Sequence, residues 1–281
     1  MGNRNEATGA NSSALGASNK ATGGNSSAIG HVNTAIGAGS SAVGRANTAT
    51  GQDASALGRG NVARGWHSSA MGFNASAAGY RSLAIGGWFD RDGDGAIAAD
   101  LDLDADGVNE SYSESAYTTG KSALAVGLGV SSTADYASAM GVDSKASGLN
   151  SLAVGYGSNA GGFSSTALGR ANTATGSGSF ALGYVNSATA YGASAVGFNN
   201  TATADYASAI GVDSQASGTN SLAVGYGSKA EGFSASAIGR ANTASGSGAF
   251  ALGYVNSATG NGSSAIGYNN TASGLNSTAI G

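Results

Sequence analysis

The sequence predicts an all-β protein, a narrow parallel β-solenoid with fourteen residues in each coil and one acidic loop inserted into it. Three observations predict this fold: a glycine at almost every seventh position, an alanine two positions before nearly all of them, and no proline. The seven-residue marks run over 9–86 and 120–281, and only Ala134, Ala190 and Ala204 replace glycine. Such strict periodicity is typical of repeat architectures rather than of disordered low-complexity chains.

The seven-residue spacing indicates strands and not a coiled coil. A heptad seam needs two large apolar positions in seven, and a glycine inside a helix costs about 1 kcal/mol. In the strand Ser26–Gly30, alternate side chains point to opposite faces. The face shared by Ser26 and Ala28 admits only small residues along the chain, which predicts a narrow interior. Glycine is expected at the turns, where φ is positive or two backbones approach closely.

The type of residue before each glycine shows that the true repeat is fourteen residues long. Over 161–280 this position alternates between an apolar residue and a polar or small one. One coil therefore has two short strands, one with a polar outward face and one with an apolar outward face. A row of Ile, Leu, Val and Met left in water would be an aggregation patch, so the sequence predicts a symmetric homo-oligomer that covers it.

Two further rows of residues follow the same period. Asparagine recurs in the polar half of the coil, where a hydrogen-bonded ladder between coils is favoured over a ligand site: Asn5, Asn19, Asn33, Asn47, Asn61, Asn172, Asn186, Asn200, Asn242, Asn256 and Asn270. An aromatic residue follows the glycine of the apolar half, where a packing ladder is favoured over a ligand platform: Phe73, Tyr156, Tyr184, Phe198, Tyr226, Tyr254 and Tyr268.

The segments Asn25–Gly30, Asn150–Gly155 and Asn220–Gly225 resemble the head repeats of YadA-like trimeric autotransporter adhesins. The resemblance covers roughly 5–86 and 120–281. It implies a left-handed parallel β-roll from each of three chains, with the apolar outer sheets packed around the threefold axis. It also implies an extracellular location on the bacterial cell surface, through a stalk and a membrane anchor outside this chain. The binding residues of the family match no fixed motif, so none is carried over.

The favoured function is therefore the head of a bacterial surface adhesin, a stiff trimeric rod that binds host matrix, cells or other surfaces. A second function stays open, a self-assembling extracellular or phage-type structural fibre, because the repeat starts near Asn5 and is still in phase at Gly281. Open solenoid ends would then stack head to tail. Ice binding is a third possibility, because threonine pairs such as Thr48 and Thr50 share one strand face.

Composition argues against several other classes of function. There is no cysteine, which excludes disulfides and thiolate metal sites, and His31 and His67 lack a serine or cysteine partner pattern, so no enzyme is expected. Outside 87–119 the charge balance is mildly positive but spread, unlike the basic face of a nucleic-acid binder. No stretch approaches the roughly 18 apolar residues that span a bilayer, so direct membrane contact is not expected.

The chain is organised in three parts: head repeats over 1–86, an Asp-rich insert over 87–119, and further head repeats over 120–281. Within the third part, Asp135–Ala204 and Asp205–Gly274 match at 53 of 70 positions. Solenoids grow by such internal duplication because each coil contacts only its neighbours.

The insert carries nine acids and one arginine and predicts a calcium site. Aspartates at positions 1, 3 and 5 with glycine at position 6 form the front half of an EF-hand loop, and this pattern occurs twice, ending at Gly95 and Gly107. Position 12 is Leu101 or Ser113, so the usual glutamate is missing and the loops could instead be shorter Asp-rich calcium repeats or a solvated acidic loop. The candidate ligands are Asp90, Asp92, Asp94, Asp100, Asp102, Asp104, Asp106 and Asn109.

We predict that calcium orders the insert and leaves the melting of the solenoid almost unchanged. Carboxylates this close repel one another, and an ion that binds only the ordered loop stabilises it by mass action. Removal of calcium should therefore raise protease cleavage between Gly87 and Thr119 only. Equal cleavage with and without calcium would show that the acidic loop is ordinary solvated surface.

Overall fold

The computed structural model describes residues 4–87 and 115–281, which form strands, turns and bends. The chain divides into two compact units, Met1–Asn150 and Ser151–Gly281. In each unit, successive coils alternate a two-residue strand with a longer strand, and both kinds pair in parallel with the strand one coil away. The predicted all-β parallel solenoid is confirmed.

The strands of the first unit divide into two sets. The two-residue strands are β1 (Glu6–Ala7), β3 (Lys20–Ala21), β5 (Thr34–Ala35), β7 (Thr48–Ala49), β9 (Val62–Ala63), β11 (Ser76–Ala77), β13 (Tyr117–Thr118), β15 (Ser131–Ser132) and β17 (Lys145–Ala146). The five-residue strands are β2 (Ser13–Ala17), β4 (Ser27–His31), β6 (Ser41–Arg45), β8 (Ser55–Arg59), β10 (Ser69–Phe73), β12 (Leu83–Gly87), β14 (Leu124–Leu128) and β16 (Ser138–Val142).

The second unit repeats the same two sets. Its two-residue strands are β19 (Asn159–Ala160), β21 (Thr173–Ala174), β23 (Ser187–Ala188), β25 (Thr201–Ala202), β27 (Gln215–Ala216), β29 (Lys229–Ala230), β31 (Thr243–Ala244), β33 (Ser257–Ala258) and β35 (Thr271–Ala272). Its longer strands are β18 (Leu152–Tyr156), β20 (Thr166–Arg170), β22 (Phe180–Tyr184), β24 (Ser194–Phe198), β26 (Ser208–Val212), β28 (Leu222–Tyr226), β30 (Ser236–Arg240), β32 (Phe250–Tyr254), β34 (Ser264–Tyr268) and β36 (Thr278–Ile280).

The register is the same at every described step that does not cross the insert: each residue lies opposite the residue fourteen positions away. Ala28 faces Ala42 in the first unit, and Ala167 faces Ala181 in the second. The acidic insert does not change this pattern, because β12 pairs directly with β14 and Ala84 lies opposite Ala125. The solenoid therefore continues in register across the insert.

The interior of each coil holds mostly small side chains, as the sequence predicts, and Val130 is the largest fully buried one among the described residues. On β4, Ala28 points inward and is fully buried, and Ser26 is buried just before the strand. Ser27 and Ile29 on the same strand point outward and are more exposed. Alternate side chains of a strand point to opposite faces, so burial of every second residue is the expected result.

The repeat glycines are required because neighbouring coils approach too closely for a Cβ atom. A Cβ built on Gly183 would overlap the carbonyl oxygen of Gly197 in the next coil, and φ at Gly183 is +119°. In the polar half of the coil Gly23 has no positive φ, yet a Cβ there would overlap the carbonyl oxygen of Gly37. A side chain at Gly183 would push two coils apart. Alanine occupies the position equivalent to Gly23 in three coils, at Ala134, Ala190 and Ala204.

The expectation that the repeat glycines themselves supply the turns is only partly correct. The left-handed turn residue lies two positions after the glycine and is often another residue type. Asn25 and Asn150 suit this conformation, but Val32, Arg81 and Tyr136 also adopt it, with φ between +55° and +58°. β-branched and bulky residues are rare in this region. The stacking of the coils therefore imposes the left-handed conformation on residues that rarely adopt it.

The predicted asparagine ladder is confirmed. The Oδ1 atom of Asn19 accepts hydrogen bonds from the backbone N–H and from Nδ2 of Asn33, each at 3.0 Å. Asn33 repeats this arrangement with Asn47, at 3.1 and 3.0 Å. Nδ2 of Asn33 also donates to the carbonyl oxygens of Ile29 at 2.9 Å and Gly44 at 2.7 Å. Each asparagine thus ties its own turn to both neighbouring coils.

Serine takes the place of asparagine in some coils of the second unit. The hydroxyls of Ser158 and Ser228 donate to the carbonyl oxygens of Gly169 and Gly239, each at 3.1 Å. These are the carbonyls that Nδ2 of asparagine would reach. Serine therefore keeps the contact with the following coil and gives up the side-chain contact with the preceding one.

We predict that Gly183→Ala destabilises the second unit by about 3 kcal/mol, because it combines a strained positive φ with overpacking against the next coil. The measurement is the midpoint of chemical denaturation. The matched control is Gly157→Ala, since nothing lies within 4 Å of a Cβ at Gly157, where φ is +61°. Alanine already adopts the corresponding turn conformation at Ala171, with φ +53°. Equal midpoints for the two variants would contradict the close-approach argument.

Candidate functional surface

An extended apolar surface lies on the outward face of the longer strands. The residue before the glycine points outward there, and the exposed fraction is 38% for Leu182, 39% for Ile210 and 36% for Leu252. The row contains Leu15, Ile29, Val43, Leu57, Met71, Ile85, Val126 and Met140 in the first unit, and Val154, Leu168, Leu182, Val196, Ile210, Val224, Ile238, Leu252, Ile266 and Ile280 in the second. The predicted apolar outward row is confirmed.

The last residue of each longer strand also points outward and forms a second row. In the second unit this row, here called the ring ladder, consists of Tyr156, Arg170, Tyr184, Phe198, Val212, Tyr226, Arg240, Tyr254 and Tyr268. Tyr184 stacks on Phe198 with 5.1 Å between ring centroids and 4° between planes, and Tyr254 stacks on Tyr268 at 5.3 Å and 7°. The predicted aromatic packing ladder is confirmed.

Arginine is also a member of the ring ladder, which the aromatic pattern of the sequence does not predict. The Arg170 guanidinium lies 5.5 Å from the ring of Tyr156 and 5.3 Å from that of Tyr184. Such distances are within the range of cation–π attraction. The signal was present in the sequence, because Arg170 stands fourteen residues from a tyrosine on either side.

A smaller cluster of rings and basic groups lies in the first unit, at the turn that follows the polar half of the coil. Lys121 Nζ lies 5.9 Å from the rings of both Tyr80 and Tyr136, and the Arg81 guanidinium lies 5.1 Å from Tyr80. His67 meets Tyr80 edge to face and pairs with Asp53 at 3.6 Å. His67 is thus part of a surface cluster and not of a nucleophile–base pair.

The equivalent turn of the second unit holds a tyrosine pair. Tyr191 and Tyr206 meet edge to face with 5.2 Å between ring centroids, and the Asp205 side chain accepts a hydrogen bond from the backbone N–H of Tyr191 at 3.2 Å. Partial desolvation, a hydrogen bond with Tyr191 and the nearby Asp205 carboxylate raise the pKa of the Tyr206 phenol.

The sheet of two-residue strands is polar on its outward side. Thr48, Thr173 and Thr201 lie on this face, as the ice-binding hypothesis requires. Lys145 and Lys229 interrupt the row with exposed ammonium groups. The face is therefore a mixed polar surface and not a continuous threonine array.

All eight predicted calcium ligands lie in the insert, outside the described residues, so the calcium site stays a prediction. In the described ranges, 4–87 and 115–281, no three His, Asp or Glu residues come together as a metal site would need. The same ranges contain no helix long and apolar enough to cross a bilayer.

Comparison with known families identifies the repeat. A family model described as the YadA head domain repeat matches residues 7–31, 35–61, 63–87, 132–158, 160–185, 188–214, 202–228, 216–232, 230–255 and 258–281. The matched stretches cover well over half of the chain and fall in both units. The comparison with curated protein sequences found no match.

Proposed function

Since the chain belongs to the YadA head domain family, we propose that its solenoid units form the head of a trimeric adhesin. The observation that carries this proposal is the apolar row on the outward face of the longer strands. A single chain leaves the row open to water, with residues such as Leu182 and Ile210 more than a third exposed. Contiguous exposed apolar surface on this scale is typical of an interaction site.

The partner proposed for this row is two further copies of the same chain. Every step of the row presents the same kind of side chain at the same register, so a symmetric assembly covers all steps at once. Three copies around one axis bring three such rows together and leave the polar sheets of two-residue strands facing outward. This arrangement matches apolar surface to the interface and polar surface to solvent.

In the proposed assembly, the outward surface is available for adhesion to host matrix, cells or other surfaces. A rigid array with little chain entropy to lose suits a binding surface that acts at a distance from the cell. We propose that a stalk and an anchor outside this sequence hold the head at the bacterial surface. The acidic insert is proposed to bind calcium through the aspartates at 90–106 and so to stiffen one loop of the head.

We predict that the purified chain is a trimer held by the apolar row. Light scattering should give three times 26.7 kDa for the unchanged chain, and one chain mass for the double variant Ile210→Glu, Leu252→Glu. Buried unpaired carboxylates would prevent association. The matched control is Thr201→Glu, Thr243→Glu, which adds the same charge to the polar strands β25 and β31 and should remain trimeric. A monomeric unchanged chain at micromolar concentration would contradict the proposal.

The adhesive role is tested with the same proteins. Beads that carry the trimer should adhere to a panel of immobilised matrix proteins and host cells. Loss of adhesion in the monomeric variant would link binding to assembly. Absence of adhesion by the unchanged trimer to any surface of the panel would overturn the adhesin proposal while leaving the trimer in place.

A further inference from the structure

Each coil of the second unit has two different edges, one where its longer strand begins and one where that strand ends. The turn before β20 carries Phe163, and the strand itself ends at Arg170. A five-residue strand is about 17 Å long, so these two residues lie at opposite edges of the sheet of longer strands. The edge that carries Phe163 is here called the starting edge, and the edge that carries Arg170 the ending edge.

The same combination of residues recurs five coils further along. Phe233 lies on the starting edge before β30, and Arg240 lies on the ending edge of that strand. In the other coils of the second unit, neither edge carries these residue types together. A phenylalanine on one edge and an arginine on the other therefore occur in the same coil, and the internal duplication keeps the combination.

Each arginine is covered by rings of its own chain from two directions only. The Arg170 guanidinium lies 5.5 Å from the ring of Tyr156 in the preceding coil and 5.3 Å from that of Tyr184 in the following one. The side that points away from the chain is exposed. Neither Arg170 nor Arg240 has an ion-pair partner among residues 4–87 and 115–281. Each guanidinium therefore has one open side and no carboxylate to neutralise it.

The phenylalanines of the starting edge also lack a partner. The exposed fraction is 53% for Phe163 and 58% for Phe233. Two other rings of this edge, Tyr191 and Tyr206, contact each other with 5.2 Å between centroids. Neither phenylalanine contacts a ring or a cation in the described part of its own chain. Both edges thus present an incomplete contact in the same coil.

Threefold symmetry decides which edges meet. In the proposed homotrimer the apolar faces of the longer strands point toward the axis, so each chain meets its neighbours along its two edges. Rotation carries every chain onto the next, and such contacts are heterologous, with the starting edge of one chain against the ending edge of its neighbour. Rotation without translation keeps each coil at its own height. Phe163 of one chain is then level with Arg170 of the next, and Phe233 with Arg240.

We propose that two chains share an aromatic cage at each of these levels, in which Phe163 of the partner subunit closes the open side of Arg170. Phe233 of the partner subunit closes Arg240 in the same way. The face of an aromatic ring attracts a guanidinium, and the attraction increases when water is excluded. The cage thus offsets the cost of burying a cation without a carboxylate. This inference rests on the proposed trimer and names residues through which one chain completes a site on the next.

The cage would fix the height of one chain against its neighbour, which the apolar row alone does not. That row has Ile, Leu or Val at every step of the second unit, so a displacement by one coil would match it equally well. The same displacement would bring Arg240 level with Thr219 or Ser247 of the partner subunit, and neither has a ring. An arginine buried without its ring disfavours the displaced arrangement.

Cross-linking tests the cage directly, since the chain contains no cysteine. The full chain with Phe163→Cys and Arg170→Cys, treated with a short bismaleimide, should give a covalent trimer on a denaturing gel. The matched control, Phe163→Cys with Arg240→Cys, places the two thiols about 24 Å apart along the axis and should give single chains. Light scattering checks that each variant is a trimer before treatment. A covalent trimer from the control, or none from the first variant, would overturn the proposal.

A double-mutant cycle tests whether ring and cation interact across the interface. The pair Phe163→Leu, Phe233→Leu and the pair Arg170→Gln, Arg240→Gln should each raise the dissociation constant of the trimer by at least about tenfold. All four changes together should exceed the larger of the two effects by no more than about twofold, because either pair already removes the contact. Independent losses that multiply would show that the two rows do not meet.

The outcomes also separate the cage from the trimer on which it rests. The charge control Lys145→Gln, Lys229→Gln removes two cations from exposed polar strands and should leave the dissociation constant within about twofold. An unchanged chain that is a trimer, but whose cysteine variants do not cross-link at residues 163 and 170, would overturn the cage and leave the proposed head in place. A monomeric unchanged chain would overturn both.

Discussion

The fold depends on how closely each coil approaches the next at the repeat glycines. A Cβ atom on Gly30 would overlap the carbonyl oxygen of Gly44, and the same contact recurs along both units. This approach brings both sheets of a coil within hydrogen-bonding distance of the coil above it. The interior that remains is filled mostly by small residues such as Ala28 and Ser26. Glycine spacing, alanine burial and the fourteen-residue period are therefore consequences of one steric constraint.

Because the interior holds mostly small side chains, the aromatic and charged side chains and most of the large apolar ones lie on the outer surface of the coils. The apolar residues that would form the core of a globular domain lie instead on the outward face of the longer strands. In the proposed trimer, further copies of the chain cover them. Arginine and aromatic residues at the ends of successive longer strands lie one above another. Residues that recur every fourteen positions in the sequence therefore form a row in the structure.

The strict period made much of this fold predictable from sequence. Strand positions, the buried alanines and the Asn19 to Asn33 ladder follow from spacing and residue size alone. The turn conformation of Val32 and Tyr136 was not predictable, because it is imposed by the neighbouring coils against local preference. The place of Arg170 in the ring ladder was not predicted from aromatic residues alone. It follows only when all residues at the same position of successive coils are compared, whatever their type. The predicted calcium loops rest on local aspartate spacing alone, which the solenoid period does not constrain.

Backbone amide hydrogen exchange tests the central claim, that every coil is locked to its neighbours through both of its sheets. The amides of Asn33, Asn47, Asn186 and Asn200 donate to asparagine side chains one coil away. They should exchange as slowly as the amides of the longer strands, because opening them requires the coil itself to open. Rapid exchange of these amides beside slow exchange in the longer strands would mean that one sheet alone holds the coils together, and it would contradict the account.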